Sequence, residues 1–332
     1  MLHWFEPGKF PLYLAPMAGF TDMGFRTLCK EMGADVLVSE FVLADAVVRG
    51  DFKVWNQIEF SESQRPMGIQ IFGSEPKIMA RAAQKIVRRL QPDFIDLNFG
   101  CPARKVTCKN AGSSLLRDLP LLAAICKSVV EAVPDFPVTA KIRIGWDDTS
   151  LVAVEAGQWI ESVGIQALAI HGRTRMQGYR GDANWEIIHR TAQAVSIPVI
   201  GNGSRQNGYD IRALRSEFGV SGLMIGRAAL GNPWIFRQIN AEIGGGLPTT
   251  VIPTLEDRWE LVLRYAEIMK RHYAHLPPRA LLGRLKPRIV VFFKEFKGAR
   301  KVRDHLSRLD RLEGLSELKE RSLTAFDLNR SG

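Results

Sequence analysis

The chain has 332 residues, 46% of them hydrophobic, with a formal net charge of +10 and a sequence pI near 9.6. That length suits a barrel of about 250 residues plus a smaller appendage. No run of about eighteen apolar residues occurs, which argues against a helical membrane span, and Met1 to Gly8 lacks the order of a signal peptide, so a cytoplasmic location is expected.

Eight short apolar runs bounded by turn signals recur along the first 230 residues: Leu12–Met17, Val36–Glu40, Met67–Phe72, Phe94–Asn98, Val138–Ile142, Ala167–His171, Pro198–Gly201 and Gly222–Gly226. Helical patterns fill most gaps between them, as in Pro76–Leu90, Leu119–Val133, Leu151–Val163 and Gly208–Phe218. Strands apolar on both faces and alternating with helices predict a parallel sheet, and eight such units predict a closed (βα)8 barrel of α/β class. A doubly wound sheet is the alternative, but it would rarely need eight parallel strands without an early GxGxxG. The glycines 244–246 and the segment to Pro253 read as a linker, so the expected domains are 1–245 and 246–332. The second should be all-helical, with helices over Leu255–His275, Ala280–Lys297, Val302–Leu312 and Leu315–Leu328.

Barrel chemistry sits at the C-terminal ends of the strands. Polar groups recur there: Pro16–Gly19 after the first run, Ser39–Glu40, Gln70, Asn98 leading to Cys101, Lys141 and Arg143, His171 followed by Arg173, Asn202–Gly203, and Gly226–Arg227. Glycines after the seventh and eighth strands leave backbone N–H groups open to a phosphate, and Arg227 adds a charge-assisted contact. A phosphate at that corner with a flat ring over the strand ends fits FMN, with Lys141 near the ring's N1–O2 edge and Gln70 at its pyrimidine edge. Lys141 has a rival role in Schiff-base chemistry, which explains neither Cys101 nor Gln70. Glu40 reads as structural. Cys29 and Cys126 fall in helical patterns and read as core; with Cys101 and Cys108 they form no CxxC pair and accompany no His cluster, so neither a metal nor a disulfide framework is expected.

The segments LAPMAGFTD (Leu14–Asp22), DLNFGCP (Asp96–Pro102) with AGSSLL (Ala111–Leu116), KIRIGW (Lys141–Trp146), HGRTR (His171–Arg175), and GNG with MIGRA (Met224–Ala228) resemble the bacterial tRNA-dihydrouridine synthases. The resemblance spans residues 12–240 strongly and the tail loosely. It implies FMN held by Pro16, Met17, Ala18, Gln70, Lys141, His171, Asn202, Gly203, Ser204, Gly226 and Arg227, and NADPH as reductant. It makes Cys101 the catalytic proton donor and Asn98 and Arg143 substrate-side residues. The family commonly has an acid where this chain has Ser204, which leaves that side chain's role open.

The implied reaction reduces the C5=C6 bond of a D-loop uridine: hydride from flavin N5 adds at C6 and Cys101 protonates C5. A thiol with an ordinary pKa of about 8.5 is mostly protonated at neutral pH and can serve as a general acid. The tRNA partner also has a compositional basis. Residues 241–332 hold 18 Lys/Arg and 12 Asp/Glu, and Arg279 to Arg303 contains nine Lys/Arg with Glu295 as its one acid. Phosphate contacts supply most RNA affinity, so Arg284 and Lys286 are expected to touch substrate, with Arg173, Arg175 and Arg180 guiding its backbone near the site. Phe292, Phe293 and Phe296, at helical spacing, are expected in the core. A monomer is the expected state. A flavin barrel acting on a small enone and a non-catalytic RNA-binding barrel are the rivals; the basic tail argues against the first and the strand-end set against the second.

Overall fold

A computed structural model describes residues 2–204, 211–244, 253–294 and 298–328. The chain divides into two compact units, one of Met1–Thr21 with Gly33–Gly226 and one of Asp22–Met32 with Arg227–Gly332. The expected linker and domain boundary at 245 lie largely outside the described residues. So do Gly208 to Asp210 at the start of the expected helix Gly208–Phe218, of which Ile211–Ser216 is helical.

The first unit is the predicted barrel. Its strands are β1 (Leu12–Leu14), β2 (Val36–Val38), β3 (Val42–Leu43), β4 (Met67–Phe72), β5 (Phe94–Phe99), β6 (Val138–Arg143), β7 (Leu168–His171), β8 (Val199–Asn202) and β9 (Gly222–Ile225). All pairings are parallel, and β1 closes the ring by pairing with both β2 and β9. Of the second predicted strand, Val36–Glu40, the strand proper is Val36–Val38; β3, beyond the predicted run, continues it past Ser39–Glu40, and both β2 and β3 pair with β4. Val38 stands opposite Gly68 and Val42 opposite Ile71, so the continued strand carries one residue more than its partner. This is a bulge. Ser39 Oγ accepts from the Gln70 backbone N–H across it at 3.0 Å.

Leu2, Trp4, Tyr13, Ala15, Phe94, Ala169, Ile200 and Met224 form one buried apolar cluster with their neighbours. Trp4 lies 5.3 Å from the Phe94 ring and donates to Tyr13 Oη at 2.5 Å, so the N-terminal segment packs on barrel side chains. Gly68 is required by this packing, because a Cβ there would meet the Phe94 ring at 2.2 Å. The covering helices begin where local chemistry allows. Pro76 opens Pro76–Leu90 without a lost bond, and Asp118 caps Leu119–Ala132 by accepting from Leu121 N at 3.1 Å.

The second unit is helical: Leu255–His272, Pro278–Phe292, Ala299–Arg308 and Gly314–Leu328 overlap the four predicted tail helices, and Ile235–Ile243 is a helix the sequence reading did not include. Thr254 and Asp257 make a reciprocal capping box at the start of Leu255–His272. Phe292 and Phe293 are buried, packed on Tyr265 and Trp259 respectively. Phe296 lies outside the described residues. Met23–Glu31 also belongs to this unit. Asp22 caps it through Phe25 N and accepts from Tyr265 Oη at 2.7 Å and Arg288 Nε at 3.2 Å, while Phe25 stacks on Phe292. Among the described residues, no helix is long and apolar enough to cross a membrane.

Candidate active site

Alternation along the strands sets the site. Parallel pairing puts Gln70 beside Asp96, Asp96 beside Thr139, Asn98 beside Lys141, Arg143 beside His171, and His171 beside Asn202. Residues two apart on one strand face the same side, so these polar groups rise on a common face of the barrel.

Two networks result. In the first, Thr139 Oγ1 donates to Asp96 Oδ1 (2.5 Å), Gln70 Nε2 to Asp96 Oδ2 (2.6 Å) and Asn98 Nδ2 to Gln70 Oε1 (2.7 Å). Asn98 Oδ1 then accepts from the N–H groups of Gly100 (3.1 Å) and Cys101 (2.9 Å). In the second, Lys141 Nζ donates to Asn202 Oδ1 (3.0 Å) and Asn202 Nδ2 to Met224 O (2.7 Å). Burial pushes the Lys141 ammonium down to about 8; the Arg143 charge adds to this and Asp96 opposes it. Burial also raises the Asp96 carboxyl, against the bonds from Thr139 and Gln70.

Cys101 is 8% exposed. Its carbonyl accepts from Ser113 N (3.1 Å) and Ser113 Oγ (2.9 Å), and Arg143 Nε holds the Gly100 carbonyl at 2.9 Å. Gly112 makes the Ser113 contacts possible. It has φ +61, and a Cβ there would lie 2.9 Å from the Cys101 carbonyl oxygen. The AGSSLL segment is thus the seat of the cysteine loop. Burial lifts the Cys101 thiol above its ordinary value, against a backbone hydrogen bond at Ala103 and the charges of Arg143 and Lys105. The thiol is therefore protonated at neutral pH.

Two arginines of the expected site are buried. Arg143 and Arg173 are each 2% exposed. Arg143 Nη1 donates to the carbonyls of Thr174 (2.9 Å) and Gly178 (2.8 Å), so it joins the cysteine loop to the segment after β7. Arg173 donates to Gly181 O (2.6 Å) and Ser204 Oγ (2.7 Å), with His171 Nε2 at 3.3 Å. Of the other cations of this segment, Arg175 is half-buried and stacks 4.7 Å over Trp146, and Arg180 is exposed.

At the corner after β8 and β9, Gly203 has φ +150 and a Cβ on it would meet Ala183 at 2.4 Å, so only glycine fits. A Cβ at Gly226 would lie 3.6 Å from Met17 Sδ, which brings the Pro16–Ala18 turn beside this corner. Glu40 Oε2 pins that turn by accepting from Gly19 N (2.7 Å) and Gln57 Nε2 (3.1 Å). Arg227 opens the helix Arg227–Leu230 and belongs to the second unit. In that unit Arg284 is exposed and lies 4.8 Å over Tyr273, whereas Lys286 Nζ donates to Ser307 O at 2.9 Å.

Sequence reasoning passed over Asp96, Thr139 and Ser113. The signal was available for the first two: polar residues at inward positions within otherwise apolar strands. The corner admits only glycine at 203, a cation stands beside Asn202, and Gln70 keeps one N–H without a protein partner among the described residues.

The family model for dihydrouridine synthase matches residues 13–327. The tRNA-dihydrouridine synthase B of Pseudomonas aeruginosa is 46% identical over 265 residues, covering 78% of this chain and 79% of that protein. The tRNA-dihydrouridine synthase B of Proteus vulgaris is 40% identical over 296 residues, covering 89% and 84%. Among solved structures, TcOYE with pHBA superposes with a TM-score of 0.52 at 12% identity, over 80% of this chain and 95% of that one, a likeness of fold.

Proposed function

This chain belongs to the dihydrouridine synthase family, and we propose that it reduces a D-loop uridine of tRNA to dihydrouridine, with FMN as cofactor, NADPH as reductant and Cys101 as proton donor. The observation that carries the reading is Cys101 itself: a buried thiol on a loop held by Asn98, Arg143 and Ser113.

Gln70, Lys141, His171, Asn202, Gly203, Ser204 and Gly226, with Pro16–Ala18 and Arg227, are the residues proposed to hold FMN. When bound, that cofactor supplies a hydride for C6 of the uracil ring. The chain's own part is to place and protonate. Cys101 gives its Sγ proton to C5, and burial favours this role because it keeps the thiol from ionising. Asn98, with its oxygen engaged by the loop, has an N–H left to donate to a uracil carbonyl. Arg143 acts by holding the Gly100 carbonyl and the segment after β7. The Lys141 ammonium supplies positive charge where reduction builds negative charge. Arg284 and Lys286, with the exposed cations Arg279, Lys294, Arg300 and Lys301 of the same helical unit, are the groups proposed to meet RNA phosphates. The uridine must leave its stack to reach the barrel.

The test is direct. Purified protein should be yellow and release FMN on denaturation, and its pre-reduced flavin should reoxidise on mixing with tRNA that lacks dihydrouridine. A colourless protein, or one whose flavin ignores such tRNA, would overturn the proposal.

A further inference from the structure

We propose that Asp96 is a positioning residue: through Gln70 and Asn98 its carboxylate fixes the loop that carries Cys101. The proposal rests on Cys101 being the proton donor. The path is three side chains long, and its direction is set at both ends. Backbone N–H groups can only donate, so Asn98 must turn its oxygen to Gly100 and Cys101 and its nitrogen to Gln70. Gln70 must then turn its oxygen to Asn98, which sends its nitrogen the other way, into the buried interior. An acceptor is required there. Asp96 provides it at 2.6 Å and is itself steadied by Thr139 at 2.5 Å. Each Asp96 oxygen accepts one of these bonds, Oδ2 from Gln70 and Oδ1 from Thr139, which matches the direction set from the loop.

Removing the acceptor strands a buried N–H of Gln70, which favours turning the amide and releasing Asn98 from its fixed orientation. Arg143 and Ser113 hold the same loop through the Gly100 and Cys101 carbonyls. The loop would therefore open more often without the barrel unfolding. Asp96→Asn keeps an acceptor, since its carbonyl can face Gln70 while its NH2 donates to Thr139. Asp96→Leu keeps none.

The experiment measures alkylation of Cys101 by N-ethylmaleimide in the protein as purified, resolved from the exposed Cys108 by peptide mass spectrometry. Asp96→Leu and Gln70→Leu should each speed alkylation about fivefold or more, the low end of the effect of one stranded buried N–H. Asp96→Asn should stay within about threefold of wild type, and the double leucine variant should react no faster than the faster single one, because both break one path. A purely structural Asp96 would give multiplying effects in the double variant, and that result overturns the proposal. So does an unchanged rate in either leucine variant; if Asp96→Leu fails to fold, Asp96→Val, which also lacks an acceptor, takes its place. Alkylation needs neither tRNA nor turnover, so its failure refutes the relay while leaving the proposed reaction to its own test.

Discussion

Replacing Lys141 with Met should stabilise the flavin-free fold while weakening the site. Burial and the neighbouring Arg143 lower the ammonium from 10.5 to about 8. At roughly 1.4 kcal/mol per pKa unit, keeping that charge at neutral pH costs the fold about 3 kcal/mol. The substitution also deletes the hydrogen bond to Asn202, worth about 1 kcal/mol. The net gain is about 2 kcal/mol, or a Tm higher by roughly 4–8 °C for a domain of this size. The pH dependence carries a sign of its own. Because the folded pKa lies below the unfolded one, the unfolded chain binds more protons between about pH 8 and 10.5, and wild-type stability rises with pH across that window. Lys141→Met lacks this rise. Urea denaturation of flavin-stripped protein across that range measures both effects, and flavin absorbance after reconstitution measures the weakened site. A variant less stable than wild type at neutral pH, or one with the same stability rise above pH 8, would refute the reasoning.

Cys101→Ala and Cys101→Ser should fold, hold flavin and accept electrons from NADPH, yet slow flavin reoxidation by unmodified tRNA about a hundred- to ten-thousandfold in single-turnover mixing. Gly203→Ala meets Ala183 at 2.4 Å and carries φ +150, so flavin occupancy should fall sharply and stability should drop by about 1–3 kcal/mol in urea titration. Arg284→Glu with Lys294→Glu should raise the Kd for tRNA and flatten its salt dependence by about two phosphate contacts, with NADPH oxidation by the flavin unchanged. Unchanged affinity would place the phosphate-binding face elsewhere.

The barrel was legible in the sequence because its strands are buried on both faces and bounded by turns, as Met67–Phe72 and Val138–Arg143 are. The continuation of the second strand into Val42–Leu43 was not, because the polar Ser39–Glu40 ends the apolar run and two further residues are too few to read as a strand. Polar strand ends such as Gln70, Asn98 and Lys141 stood out against apolar neighbours. What each side chain touches could not be read there: Arg143 and Arg173 look like surface cations in one dimension and are buried ties between loops in three. The assignment of Met23–Glu31 to the helical unit depends on Asp22 meeting Tyr265 and Arg288, more than 240 residues away, which no local pattern encodes.

Reduction of tRNA is read directly from its product. Unmodified tRNA incubated with the purified protein and NADPH is digested to nucleosides and analysed by mass spectrometry. The account predicts dihydrouridine, a uridine heavier by two hydrogens, at a D-loop position, formed by wild type and absent with Cys101→Ala. A flavin-loaded, NADPH-reducible protein that leaves every uridine of that tRNA unreduced would contradict it.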